Sequence, residues 1–440
     1  MTIAIIADDL TGANDSGLQF ASYGLPTTVF LGHPSDELLD GAEVAVLDTE
    51  TRGRAAAEVP ALINAVARRL REKGTRHVYK KIDSTMRGHV GLELDVAAQA
   101  LNADIILLTP AFPAMRRTVE QGCLLVDGTP VDRTAIARDP GSPVRDADLI
   151  RLLSPHMRHA RCLTVTIADL ATPSAVEARL CEIADGGGRP CAVFDAVTDA
   201  DLSAIAAFGT RLAARHGKTI LWAGSAGLAT HLPAAWNIAM PERRNGCLPA
   251  ARRSPLLVVG SVNPVSTQQL DLLAKRLEVE PVVLSPDRLL NAGADHDAEI
   301  ARGLADMRGR LDAGDRALVL TTAHTEADVD RIVALARKRG LSWGEAGRRI
   351  AEGLAAVAIR LLDESAINRL VTTGGDTSRA IMDAADIRAL TVEGAVEPGI
   401  PLMTTRNGPR RHIVTKAGGF GSAEALLNAM TCLMEGRPTS

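Results

Sequence analysis

The chain has 440 residues, 46% hydrophobic and 23% charged, with a formal net charge of −4. That length suggests two or three domains, each able to bury its own core, and the composition excludes disorder. The small negative charge offers no basic face for nucleic acid, and 2% aromatics leave few surfaces on which bases could stack. No apolar run reaches the roughly 18–20 residues that span a bilayer, so no membrane association is expected. Met1–Ile6 enters an apolar strand with no basic segment before it, and a cytoplasmic location is expected. Six cysteines (Cys123, Cys162, Cys181, Cys191, Cys247 and Cys432) include no C-x-x-C pair and read as reduced, mostly buried thiols.

Short β-branched runs alternate with helical patterns, the mark of a parallel α/β arrangement. Thr2–Ala7 reads as a strand, Gly12–Tyr23 as a helix and Thr27–Leu31 as the next strand. Further strands are expected at Glu43–Leu47, His77–Lys81 and Ile105–Thr109, with helices in Ala55–Lys73 and Gly91–Leu101 between them. Cys123–Pro130 suggests a hairpin turning at Asp127-Gly128. The rhythm resumes at Cys162–Thr166, Cys191–Phe194 and Thr219–Trp222. Pro233–Ser254, with three prolines and four arginines, breaks it. The expected organisation is a domain over 1–235, a linker over 236–254 and a second domain over 255–440. The second series runs through Pro255–Gly260, Pro281–Leu284, Ala317–Thr321, Arg369–Thr373 and His412–Thr415, then the helix Ser422–Met434. Asp330–Arg339 reads as a solvated helical face. The fold class is α/β, two domains with mainly parallel sheets flanked by helices and an active site expected in the cleft between them.

Two clusters at strand ends carry the chemistry of the first half. Asp8-Asp9-Leu10-Thr11-Gly12 follows the first strand and opens a helix, where ligands bind in an open parallel sheet. One aspartate suffices for a helix cap; the second can bond sugar hydroxyls, and one of the pair could draw the proton from an attacking hydroxyl. Lys80-Lys81-Ile82-Asp83-Ser84-Thr85-Met86-Arg87-Gly88 brings two ammoniums, a guanidinium, a carboxylate and two hydroxyls to another strand end. Lys81 and Arg87 suit a carboxylate or phosphate, and Arg52 lies beyond a third strand end. The half reads as built for a small, anionic, hydroxyl-rich ligand.

The second half has no G-x-x-x-x-G-K-[ST] element and no G-x-G-x-x-G after a strand, which disfavours P-loop and dinucleotide-binding chemistry. Three other glycine turns stand at strand ends: Gly260-Ser261-Val262-Asn263, Gly374-Gly375-Asp376-Thr377, and Lys416-Ala417-Gly418-Gly419-Phe420-Gly421. Exposed backbone N–H groups at such turns make a polyphosphate site. Lys416 could add a point charge to the phosphates, and Asp376 could position Mg²⁺ directly or through water. Glu397-Pro398-Gly399-Ile400-Pro401 reads as a rigid loop that lines the pocket.

With IADDLTGAND, KKIDSTMRG, PAFPAMRRTVEQG and VDGTPV in the first half, and GSVNPVSTQQ, TTGGDTSRAI, EPGIPL and KAGGFG in the second, the sequence resembles the four-carbon acid sugar kinase family. It departs from the family's pattern at Arg116, where glycine is expected, and mildly at Met86. The resemblance implies a sugar-acid-binding domain followed by a nucleotide-binding domain, with ATP-dependent phosphorylation of the terminal hydroxyl of a small-molecule four-carbon acid. D-threonate is the first choice, D-erythronate the runner-up and a 3-oxo-tetronate the third, since Ala13–Gly17 (ANDSG) looks more like the threonate and erythronate kinases. By the same resemblance Asp9, Arg52, Lys81, Asp83, Ser84 and Arg87 contact the acid, with Asp8 and Gly88 beside them. Ser261, Gly374 to Thr377 and Gly418 contact ATP. The base is Asp9 or Asp83, and the carboxylate is held by Arg87 with Arg52 or Lys81. A sugar-acid oxidoreductase and a non-catalytic sensor are the competing classes. No metal-ligand set is legible, and the Ala-rich helices are suited to a homodimer.

Overall fold

The structure, a computed structural model, describes residues 2–139, 141–240, 253–261, 263–291, 293–322, 326–364 and 367–436, without the side chains of 326–330. Most of the linker expected over 236–254 lies outside the described residues, as do Cys247 and Val262. The five described cysteines are free thiols, three of them buried. The chain divides into two units, Met1–Glu242 and Arg243–Ser440.

In the first unit the strands are β1 (Ile3–Ala7), β2 (Thr27–Leu31), β3 (Val44–Asp48), β4 (His77–Lys81), β5 (Ile105–Thr109), β6 (Arg117–Glu120), β7 (Cys123–Val126), β8 (Thr129–Pro130), β9 (Arg161–Val165), β10 (Pro190–Phe194) and β11 (Ile220–Gly224). Eight of them line up as β2-β3-β1-β4-β11-β5-β10-β9, and every pairing is parallel. Parallel strands are covered on both faces, which is why β1, β2, β3 and β5 are unbroken buried runs. The helix Val59–Glu72 buries Val59, Ile63, Val66, Ala67 and Leu70, one stripe at helical spacing. β6, β7 and β8 form a small antiparallel sheet that turns at Asp127-Gly128, as the sequence suggests.

In the second unit β12 (Leu256–Val259), β13 (Val282–Val283), β14 (Leu318–Thr321), β15 (Arg369–Thr373), β16 (Ala389–Glu397), β17 (Ile400–Thr405) and β18 (His412–Lys416) line up as β13-β14-β12-β15-β18-β17-β16. The first five in that order are parallel, and the last two run antiparallel. Leu257, Val371 and Val414 pack with Leu273 and Met430 from the covering helices. Each such buried side chain contributes roughly 1.5–3 kcal/mol.

Three expectations need correction. The first helix spans Leu10–Ser22 rather than starting at Gly12, because Asp9 is extended (φ −150°) and its side chain caps the N–H of Gly12. The helix Ala226–Ala235 contains Pro233, so the break in rhythm begins later than that proline. Glu397-Pro398-Gly399-Ile400-Pro401 is not a loop but the tip of the β16–β17 hairpin, with Glu397 opposite Ile400 and Gly399 at φ 77°.

Both sheets contain a point where the order of strands reverses. β1 leads leftward to β2, and β3 crosses rightward to β4; right-handed crossovers therefore place those connections on opposite faces and open a crevice between β1 and β4. β12, β13, β14 and β15 repeat this pattern in the second unit, opening a crevice between β12 and β15.

Candidate active site

The first crevice is filled by charge. Leaving β3, the chain bonds back to β1 through Thr49 N to Ala7 O (2.9 Å) and Arg52 N to Asp8 O (3.1 Å), which delivers Arg52 to the aspartates. Its guanidinium donates to Asp8 through Nε (2.7 Å) and Nη2 (3.1 Å) and to Asp9 through Nη1 (2.8 Å). Burial works to raise the Asp8 pKa, but Arg52, Lys80 and Lys81 outweigh it and hold the carboxyl below its ordinary value. Burial likewise works against the Arg52 charge, yet Asp8, Asp9 and Asp83 keep it firmly protonated.

At the end of β4, Asp83 accepts from Arg87 Nε (2.9 Å) and Nη2 (3.1 Å), from the N–H groups of Thr85 and Arg87 (both 3.3 Å), and from the Thr85 hydroxyl. Burial alone would raise its pKa; Arg87 and Arg52 hold it well below the usual carboxylate range. Gly88, at φ 94°, lets the loop close on the first cluster: a Cβ there would lie 3.2 Å from Asp8 Oδ2. Lys81 Nζ donates to Ile82 O (2.8 Å) and lies against Gly12, where a Cβ would come within 2.9 Å of it. Beneath, Lys80 and Glu93 form a fully buried pair at 2.6 Å. Ser84 is half-buried and, among the described residues, its hydroxyl makes no hydrogen bond.

The second crevice is built from glycine. The turn after β15 begins the helix Gly375–Ala384, which has no side-chain cap, so its first N–H groups are left for a ligand. Gly374 holds φ 100°, and a Cβ on it would press on Ser261 N at 3.2 Å. A Cβ on Gly418 would overlap the Ser261 hydroxyl, and one on Gly260 would overlap Thr377. The three turns are therefore in mutual contact, and their close approach depends on the missing side chains. Asp376 is exposed in the first helical turn, and Thr377 is buried behind it.

Two roles differ from expectation. Lys416, only 2% exposed, donates to the carbonyls of Ala417 (2.9 Å), Gly418 (2.9 Å) and Phe420 (3.1 Å); it shapes the Gly418-Gly419 turn instead of offering a free charge to phosphate. Burial lowers its pKa to about 8 against the opposing pull of Glu397. Glu397 in turn accepts from Ser422 N (2.8 Å), Ser422 Oγ (2.7 Å) and Asn428 Nδ2 (2.7 Å), bracing the far side of that turn. In the first unit Arg52 and Arg87, expected to hold the substrate carboxylate, are already engaged by protein carboxylates. Sequence reasoning missed Asp15, buried on the first helix with its pKa raised to about 6 by burial against the pull of Lys81 and Gln19. It also missed Arg117; both stood inside quoted motifs, and only their packing sets them apart.

The first unit matches the family model of a sugar-binding N-terminal domain over residues 3–232, and the second that of a nucleotide-binding C-terminal domain over 256–426. With a charged crevice in one and a glycine cradle in the other, the class defined is a sugar-acid kinase. The chain belongs to the four-carbon acid sugar kinase family. It is 35% identical to a D-threonate kinase of Cupriavidus necator, covering 100% of both chains. A D-threonate kinase of Salmonella typhimurium is 31% identical over 99% of each chain, and a 3-oxo-tetronate kinase of Pseudomonas fluorescens is 29% identical over 99% of this chain and 98% of its own. A solved Salmonella typhimurium structure has the same fold, with a TM-score of 0.79 at 24% identity over 97% of this chain and 98% of its own. The kinase relatives imply ATP as the phosphoryl donor. Among the described residues no helix is long and apolar enough to cross a membrane.

Proposed function

We propose that the chain transfers the γ-phosphoryl group of ATP to the terminal hydroxyl of a four-carbon sugar acid, D-threonate first and D-erythronate as runner-up. The observation that carries this reading is the uncapped, glycine-led start of the helix Gly375–Ala384 in contact with Ser261, in a chain whose other crevice is lined by paired acids and arginines. ATP phosphates would rest on the N–H groups of Gly375 to Thr377, against Ser261 and the Gly418-Gly419 turn. Asp376, exposed in the first helical turn, would hold Mg²⁺ directly or through water, and the ion would offset charge on the phosphate oxygens.

Asp9 is the stronger candidate for the base. Its side chain is 23% exposed, against 12% for Asp83, and its Oδ2 takes one guanidinium N–H, leaving acceptor capacity for a substrate hydroxyl. Asp83 is saturated by donors and held deprotonated, which makes it a weak proton acceptor. Catalysis of this kind rests on positioning and charge stabilisation, so the fixed network of Asp8, Arg52, Asp83 and Arg87 serves as a rigid floor for the acid. A cytoplasmic setting, where ATP is supplied, suits the reaction.

ADP release measured over D- and L-threonate, D- and L-erythronate and their oxo relatives tests the assignment. Turnover should be highest with D-threonate. No ADP release with any tetronate would overturn it.

A further inference from the structure

Three arginines stand at the carboxyl-terminal edge of the first unit's sheet, and they differ in what holds them. Arg52 is bonded to Asp8 and Asp9, and Arg87 to Asp83. Arg117 has no such partner. Among the described residues it makes no salt bridge, its Nη1 donates to the Met115 carbonyl, and its Nε is buried without a hydrogen-bond acceptor.

Its backbone is fixed. Arg117 N donates to Phe112 O (3.1 Å), and Phe112 N donates to Arg117 O (2.8 Å), closing the turn Pro113–Met115. Arg117 then starts β6 opposite Val126. The segment leaving β5 is tied to β11 through Ser225 Oγ and the Ala111 carbonyl (2.6 Å), and β11 lies between β5 and β4. The guanidinium thus emerges beside the β4 loop, attracted by Asp127 and Asp83 and repelled by Arg87. Burial lowers its pKa against the weaker pull of Asp127 and Asp83, so the charge is only partly compensated and no carboxylate forms a salt bridge with it among the described residues. A half-buried guanidinium with unused donors can recognise a planar carboxylate through two parallel bonds.

We propose that Arg117 binds the carboxylate of the four-carbon acid, the task for which Arg52 and Arg87 are no longer available. The proposal rests on the substrate reading above and deepens it: Arg117 selects acids over neutral sugars of the same length, while the paired network orients hydroxyls.

Arg117→Gln in the full chain tests this, with D-threonate and its uncharged carboxamide as probes in calorimetry and steady-state kinetics. The KM and Kd for D-threonate should rise about 30- to 100-fold, while kcat and the KM for ATP stay within about threefold. Preference for the acid over the carboxamide should collapse, and Arg117→Lys should recover part of it. A merely structural role would weaken both probes in equal proportion, and that result overturns the proposal. Undiminished D-threonate binding by the variant overturns the role of Arg117 alone. Failure of the unaltered chain to bind any tetronate overturns the substrate assignment and this role together.

Discussion

The two crevices share a strand order and are finished with opposite chemistry. In the first, ionic side chains fill the space between β1 and β4 and lock one another: Arg52 spans two aspartates, and Arg87 closes on a third. In the second, side chains are removed between β12 and β15, because the backbone itself must approach the ligand. The difference suits the guests proposed for them. A sugar acid presents dispersed hydroxyls that need fixed donors and acceptors at particular points. A polyphosphate presents dense charge that a concave row of N–H groups can match. A shared topology therefore fixes where binding happens, and local residues fix what binds.

The largest expected effect breaks the second crevice and spares the first. Gly418→Val places methyl groups on the Ser261 hydroxyl, so affinity for ATP should fall on the order of 100-fold or more, with D-threonate binding unchanged. Calorimetry with a non-hydrolysable ATP analogue reads both; normal ATP affinity would show that the turn does not cradle phosphate. The reciprocal test is Asp9→Asn. Asparagine caps a helix as well as aspartate does, so the fold should survive while kcat falls roughly 100-fold. Near-normal turnover would pass the role to Asp83.

How much of this contrast was legible in the sequence depends on whether a signal is local. Strand positions such as Thr27–Leu31, His77–Lys81 and Arg369–Thr373 match the structure residue for residue, because short runs rich in β-branched and aromatic residues between turn and helix signals mark strands locally. The β16–β17 hairpin escaped: bulges near Glu393 and Val396 interrupt the alternation that would have marked it. Clustering of glycine turns was visible as three separate motifs. That Gly418 touches Ser261 was not, since they lie far apart in the chain. Lys416 and Arg117 show the same limit from two sides. One cation looked free and is enclosed by carbonyls, and the other looked ordinary and, among the described residues, makes no salt bridge. Residue type announces charge, and only packing shows whether that charge is spent.

Asp15 sharpens the comparison by testing whether the first unit's charge network is fully compensated. Its pKa of about 6 in the fold lies above the ordinary 3.8, so the protonated form is favoured by folding. That stability is present below about pH 4 and is lost as pH rises through about 6. The shift corresponds to about 3 kcal/mol by pH 8. Asp15→Asn should therefore gain about that much over the unaltered chain between pH 4 and pH 8 in urea unfolding. A difference that does not change with pH would mean that Lys81 already neutralises the carboxylate.

The smallest effect concerns backbone strain, which the two crevices also handle differently. Around the phosphate turns the left-handed positions Gly374 (φ 100°) and Gly421 (φ 86°) are glycine. Around the acid site Met86 (φ 65°) and Arg116 (φ 54°) adopt the same region with side chains in place. Met86 is buried and loses packing if truncated, but Arg116 is exposed and, among the described residues, bridged only to the exposed Asp127 at 3.3 Å. An exposed pair of that kind is worth little, whereas a left-handed non-glycine residue costs roughly 1–2 kcal/mol. Arg116→Gly should thus stabilise the first unit by about 1 kcal/mol, and Met86→Gly should destabilise it. Because Arg116 sits next to Arg117, the same variant should leave the KM for D-threonate unchanged; a rise would show that strain in this turn is what aims the Arg117 guanidinium.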